Sequence, residues 1–455
     1  MSCCCRPHVH PSTSSTITSS EGTASGRSSR PCAKAVSDVA RRAKARSAPT
    51  YLLLGSSIVL LLGGLLMIYS ASSVSAYVKE GDSYFYLVKQ ARYVAIGVLA
   101  LFVASRWDFR AKGLLKAELA AWAIWGVSFL GLILVPLIGI EAGGAKRWLL
   151  IGQVSLQPSE YAKLGCLLVA AVLLVEYKRR DIDGKQFLIR LLGMLTPVVL
   201  LVMLQPDMGT TMSILIAVFL LLWLGGIDWR VLASTGIGGV ALAVLMIFVE
   251  GYRMDRLTGF LDPWADPLRT GYQIIQAKYA FGSGGITGVG LGLSRQKFAY
   301  LPAAHTDFIF AIIGEEAGLL GTLGVIVAFA AFTYAGIRIA LDCKDPFGRL
   351  MAGGLTAMIA TQAIMNMAAV TGLMPVTGIP LPLVSYGGSS LTFTMGCIGL
   401  ILAVSRHSKV ARRARVRDIS ESKGYVRAST DERRRDRGPR LSGIDGGRAA
   451  SRKRA

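Results

Sequence analysis

Charge is scarce in this sequence: Lys, Arg, Asp and Glu make up 17% of its 455 residues, while 52% are hydrophobic. Soluble globular chains carry about a quarter charged residues, so a mean hydropathy of +0.49 excludes an ordinary soluble domain. Histidine and cysteine are also sparse. The four histidines and seven cysteines show no metal-ligand spacing and no disulfide framework. No apolar stretch follows the run Cys3, Cys4, Cys5, which excludes a signal peptide or lipoprotein site there. "GSGGITGVGLG" follows no strand and carries no GK[ST], which excludes a nucleotide cradle, and there is no Ser-His-Asp arrangement.

Acidic residues are few as well, 28 against 50 Lys and Arg, but the excess of +22 is uneven. Residues 1–50 hold 8 Lys/Arg against 2 acidic, and residues 405–455 hold 17 against 6. Both ends are rich in Ser, Gly and Arg, so 1–50 and 407–455 read as disordered basic cytoplasmic tails. They either lie near anionic headgroups or simply fix topology. Charge confined to such tails is no sign of nucleic acid, and none is expected as a partner.

What is abundant is long apolar runs. Ten of about 17–25 residues, the length that crosses a bilayer, centre near Leu60, Gly97, Phe129, Val169, Val198, Phe219, Val240, Val325, Ile359 and Cys397. "RWDFRAKGLLK", "EYKRRDIDGKQFLIR" and "RIALDCKDPFGR" are basic, whereas "LQPDMGT" and "TGLMPVTGIPLPLVSY" carry no Lys or Arg. By the positive-inside rule the first set is cytoplasmic. The expected fold is an all-α integral membrane protein of about ten transmembrane helices with both termini cytoplasmic. Residues 51–406 form its membrane domain. A large extracytoplasmic loop, about 251–306, joins helices 7 and 8 and carries six Lys/Arg.

At the end of that loop stands "YLPAAHTDFIFAIIGEEAG". Asp307 is placed at or just before the start of the eighth span, which runs long, from Phe308 to about Ile339. At 100° per residue Ala311, Gly314, Gly318 and Gly321 follow the direction of Asp307. A small-residue stripe under a carboxylate is either a helix-packing seam with Asp307 as cap or a groove for a lipid chain with a functional carboxylate at its mouth. Glu315 and Glu316 lie roughly 12–14 Å further along and read as supporting partners for a cation or hydroxyl on another span. His305 reads as a positioning or capping residue rather than a metal ligand.

Other polar residues gather on the same side. "GGAKRWLLIGQVSLQPSEYAK" supplies Lys146, Arg147, Gln157, Glu160 and Lys163, and its middle alternates like a short interfacial hairpin. "LQPDMGT" adds Gln205 and Asp207, the Gly-rich stretch adds Arg295 and Lys297, and "PLVSYGGSS" adds Ser385 and Tyr386. Cations and glycine-rich turns with exposed N–H groups suit an anionic phosphate ligand. The residues therefore point to a polyanionic, lipid-linked substrate at the outer leaflet.

The motifs "QPSEYAK", "QPDMGT", "GSGGITGVGLGLSRQKFAYLPAAHTDFIFAIIGEEAG" and "PLPLVSYGGSS" resemble the SEDS family (shape, elongation, division and sporulation), to which FtsW, RodA and SpoVE belong. The resemblance covers about residues 51–406 and is strongest to the division branch. It implies a peptidoglycan glycosyltransferase of the cytoplasmic membrane that polymerises lipid II at the outer face, at the division septum. Its implied partners are a cognate FtsI-like class B penicillin-binding protein and other divisome membrane proteins. It carries the catalytic base onto Asp307 and substrate contacts onto the polar residues above. No firm cofactor is implied. A divalent cation, Mg or Mn, travelling with the substrate pyrophosphate is the one candidate. Where the family commonly has Glu, this chain has Ala303. Rival readings are a lipid II flippase, a RodA-type elongation enzyme and a recruiting scaffold.

Overall fold

The computed structural model describes residues 48–108, 114–142, 145–152, 154–249, 251–298, 300–302 and 304–407. The tails beyond them, and Ala303, lie outside the described residues.

Among the described residues twelve helices and one small sheet follow one another. The helices α1 (Ala48–Glu80), α2 (Phe85–Ser105) and α3 (Leu114–Ile138) come first. The strands β1 (Ile140–Ala142), β2 (Ala145–Ile151) and β3 (Val154–Leu156) come next. Then follow α4 (Pro158–Arg179), α5 (Gly184–Leu204), α6 (Met208–Leu224), α7 (Trp229–Val249), α8 (Gly251–Leu261) and α9 (Tyr272–Gly284). The last three are α10 (Ile309–Asp342), α11 (Pro346–Val370) and α12 (Gly388–His407).

Eight helices among the described residues are long and apolar enough to cross a membrane: α1 to α5 and α10 to α12. They contain eight of the ten expected span centres. Phe219 lies in the 17-residue α6 and Val240 in the 21-residue α7. The chain is thus a multi-pass membrane protein.

Lipid offers no hydrogen bonds, so helix ends must be satisfied by the protein. Asp183, Asp207 and Asp345 cap α5, α6 and α11, accepting from the N–H of Gln186 (2.8 Å), Thr210 (3.0 Å) and Gly348 (2.7 Å). Pro158 and Pro346 occupy first-turn positions, where proline loses no bond. Helix α4 is 89% buried, packing against α3, α5, α6 and α11. Helix α2, only 17% buried, presents Val98, Leu99, Phe102 and Val103 outward, as a lipid-facing helix does.

Two features add to the expected picture. The alternating stretch between α3 and α4 is a three-stranded antiparallel meander, with Glu141 opposite Lys146 and Leu149 opposite Leu156. The fold is therefore helical with one small sheet among its described residues. Helix α10 is also not one rod. A straight helix of its 34 residues would be about 51 Å long, far beyond the ~30 Å hydrocarbon core. Gly318, at φ 65° and ψ −159°, divides it into Ile309–Ala317 and Leu319–Asp342. Only glycine adopts such dihedrals readily.

The turn after α9 fills the break. Val289 and Gly290 donate to the carbonyls of Glu315 and Glu316 (both 3.0 Å), and Leu319 and Leu320 donate to those of Gly285 (2.9 Å) and Ile286 (3.2 Å). The backbone groups freed by the kink are thereby repaired. The turn also decides the small-residue stripe. A Cβ on Gly314 would lie 2.4 Å from the Phe281 ring, and one on Gly318 would lie 2.4 Å from the backbone nitrogen of Gly288. The stripe is a packing seam against α9 and its turn, and the lipid-groove reading is corrected.

Candidate functional site

The N-termini of α4, α6, α10 and α12 meet, joined by polar contacts. The Gln157 N–H, just before α4, donates to Ser389 Oγ on α12 (3.0 Å). Its side chain donates to Asp207 Oδ2, the cap of α6 (3.1 Å). The Tyr386 N–H, just before α12, donates to the His305 carbonyl, just before α10 (2.9 Å). Helix N-termini carry partial positive charge and unsatisfied N–H groups, so four of them together form a basin for anions.

Asp307 lies half-buried at this junction, two residues before α10. Burial pushes its carboxyl up from 3.8 to about 6. The charges of Arg256 and Arg147 oppose the rise and that of Asp207 adds to it. Both arginines are aimed by backbone carbonyls. Arg147 Nε donates to Gln205 O (3.0 Å) and Nη2 to Pro206 O, while Arg256 Nη1 donates to Val376 O (2.7 Å). A methyl on Gly378 would stand 3.6 Å from Asp307 Oδ2 and 3.8 Å from Arg256 Nη1, so carboxylate and guanidinium both approach the same glycine. Asn366 Nδ2, on α11, donates to both the Asp307 and the Ile379 carbonyls at 2.8 Å.

His305 is packed between Tyr86 (centroids 4.8 Å) and Tyr386 (5.6 Å). Burial, with Lys79 nearby, drives its pKa down to about 4, so it is a neutral ring at physiological pH. Burial raises the Tyr386 phenol, and Tyr93 and Tyr86 add to the rise. Ser385 Oγ accepts from the Leu381 N–H (2.8 Å) and closes the turn that presents Tyr386.

The remaining expected residues fall elsewhere. Lys146 is exposed on β2, opposite Glu141. Lys163 is bonded to Glu160 at 2.9 Å, and their side chains are 1% and 4% exposed, inside the bundle under the junction. Its ammonium lies 5.2 Å from the Phe393 ring centroid. Arg295 and Lys297 belong to a second cluster, at the α10 break. There Glu315 accepts from Ser294 Oγ, from the Arg295 N–H (2.9 Å) and from the Gln296 N–H (3.4 Å), and Lys297 donates to the Gly292 carbonyl. Glu316 accepts from Ser70 Oγ on α1 (2.6 and 2.7 Å). Of the expected site, the junction gathers Asp307, Arg147, Gln157, His305, Ser385 and Tyr386. Sequence reading missed Arg256, one of six basic residues in its loop, and Asn366, a single polar residue in an apolar run.

Among the described residues no three His, Cys, Asp or Glu side chains come together.

A polytopic helical protein with a junction of helix N-termini that holds Asp307 beside two arginines is the class these features define. The family model described as cell cycle protein, FtsW/RodA/SpoVE, matches residues 51–410, and the chain belongs to that family. It is 38% identical to stage V sporulation protein E of Bacillus subtilis (strain 168), covering 80% of this chain and 99% of that one. It is also 38% identical to a probable peptidoglycan glycosyltransferase FtsW of Geobacter sp. (strain M18), covering 78% and 96%. Among solved structures it matches a chain described under "Structural coordination of polymerization and crosslinking by a peptidoglycan synthase complex". There the identity is 31%, the TM-score 0.63, and the coverage 79% of this chain and 97% of that one.

Proposed function

We propose that this chain is a peptidoglycan glycosyltransferase that joins lipid II units into glycan at the outer face of the cytoplasmic membrane, with both termini inside, and that it works at the division septum. The observation that carries the reading is Asp307 set between Arg147 and Arg256 in a basin of helix N-termini. Relatives named peptidoglycan glycosyltransferase support the reaction class.

The chemistry follows from the placement. The acceptor sugar's 4-hydroxyl oxygen attacks the anomeric carbon of the donor, and Asp307 takes the proton. The bond from that carbon to the pyrophosphate oxygen breaks, and the electron pair leaves with undecaprenyl pyrophosphate. A carboxylate with a pKa of about 6 is ionised at neutral pH yet more basic than an ordinary one, which favours general-base catalysis. Arg147, Arg256 and the helix ends face the negative charge that grows on the leaving group. Lys163 and Lys297, whose ammonium groups are spent on Glu160 and the Gly292 carbonyl, hold the framework instead. A divalent ion enters this scheme only as a companion of the substrate pyrophosphate.

The similar chain in a synthase complex supports a crosslinking partner, which we take to be an FtsI-like class B penicillin-binding protein. The test is lipid II polymerisation by the purified pair with the transpeptidase blocked. Glycan chains are expected. Their absence, with lipid II crossing between leaflets of a vesicle, would replace the reading with a flippase. Septal work predicts filamentous cells on depletion, and round cells would point to elongation instead.

A further inference from the structure

One buried polar residue is left unexplained by the scheme above. Asn366 lies in the last turns of α11, 2% exposed, in the run "AIMNMAAV". An apolar side chain would fill that space without desolvating an amide. Both hydrogens of its amide nitrogen are spent on carbonyls from two different segments, Asp307 and Ile379, each at 2.8 Å. Its amide oxygen is buried without a partner, and so is Thr377 Oγ1. Both residues line a small cavity with Asp307, Val376, Gly378 and Ile379.

The bonds join the parts that must keep their distances. One carbonyl belongs to the residue whose side chain takes the proton. The other belongs to the loop in which Gly378 lies against both Asp307 and Arg256 and Val376 O anchors that arginine. A single planar amide thus fixes the Asp307 backbone relative to the loop holding its cationic neighbour.

We propose that Asn366 is a positioning residue for Asp307: through its amide it clamps the Asp307 peptide to the 376–379 loop and so sets the carboxylate's place against Arg256. This rests on the glycosyltransferase reading. Asn366 itself touches no substrate, so its loss slows chemistry without weakening binding, and a misplaced reacting group costs roughly tenfold to a hundredfold.

The test uses the full-length protein with its penicillin-binding partner, transpeptidase blocked, on lipid II in detergent. It compares wild type, Asn366→Leu, the near-isosteric Asn366→Asp and, as control, Asp307→Asn. We expect both Asn366 variants to melt lower than wild type, because two buried carbonyls lose their donor, and to lose roughly tenfold or more in kcat per folded molecule, with KM for lipid II near wild type. Asn366→Asp decides alone if the Leu variant does not fold. Wild-type kcat in the folded Asp variant, or a loss that tracks only the folded fraction, would overturn the clamp and leave the activity reading intact. No glycan from wild type would overturn the activity reading, and the inference with it.

Discussion

Two acidic regions stand on the same helix, and their surroundings differ in kind. At the break in α10, Glu315 and Glu316 are each 1% exposed, and their oxygens are occupied by Ser294, Ser70 and three backbone N–H groups. At the head of α10, Asp307 is half-buried, with arginines held beside it by carbonyls. A carboxylate wrapped in donors is a structural joint, because protonating or moving it would break several bonds at once. A carboxylate raised by burial toward neutrality, in a basin built for anions, is placed to exchange a proton. Residues of the same chemistry therefore do different work according to whether their bonding is already complete.

The sharpest break in the comparison is Asp307→Asn. Polymerisation is expected to fall by roughly 10²–10⁴-fold, while the melting temperature rises, because a carboxylate that burial disfavours has been removed. A fluorescence melt beside a lipid II assay checks both. Replacing Glu315 by Leu should do the reverse. Ser294 Oγ and the N–H groups of Arg295 and Gln296 lose their acceptor, costing on the order of 3 kcal/mol, and the surviving folded enzyme keeps the wild-type pH dependence.

The pH profile sharpens the same distinction. A base must be ionised to act, so the rate should climb as pH rises through about 6. At pH 5 about a tenth of the carboxyls are ionised. A midpoint near 4 would mean that burial does not govern this group. Gly314→Leu is expected to destabilise by about 1–3 kcal/mol through collision with Phe281. A stable but inactive variant would instead revive the lipid groove. The smallest effect belongs to His305→Phe. The imidazole is neutral, with a pKa of about 4, and packs between two tyrosines, so a change beyond roughly threefold in rate would show that its nitrogens matter.

Much of this was legible in the sequence for physical reasons. Apolar run length located ten of the described helices, because the bilayer sets a minimum span, while α8 and α9 are short and fall within the stretch read as a loop. Alternation in "AKRWLLIGQVSL" announced the meander between α3 and α4. Asp307 stood out because an acidic residue at the head of an apolar run is costly and needs a reason. The break in α10 was hidden, because a glycine needed for a positive φ looks the same as one needed for close packing, and Gly318 lies in a row of both. The partition of the basic residues was hidden too. Lys163, Arg295 and Lys297 look as available as Arg147 until the fold shows Lys163 beside Glu160 and the other two in the turn held by Glu315. Arg256 and Asn366 act through backbone carbonyls of distant segments, and no spacing in the chain records such bonds.

The central claim is that Asp307 is the base of a glycan polymerase. Its most direct test is glycan chain synthesis from lipid II by the partner-bound wild type and by a folded, partner-bound Asp307→Asn variant. The account predicts chains from the first and none from the second. Equal synthesis by both would contradict it.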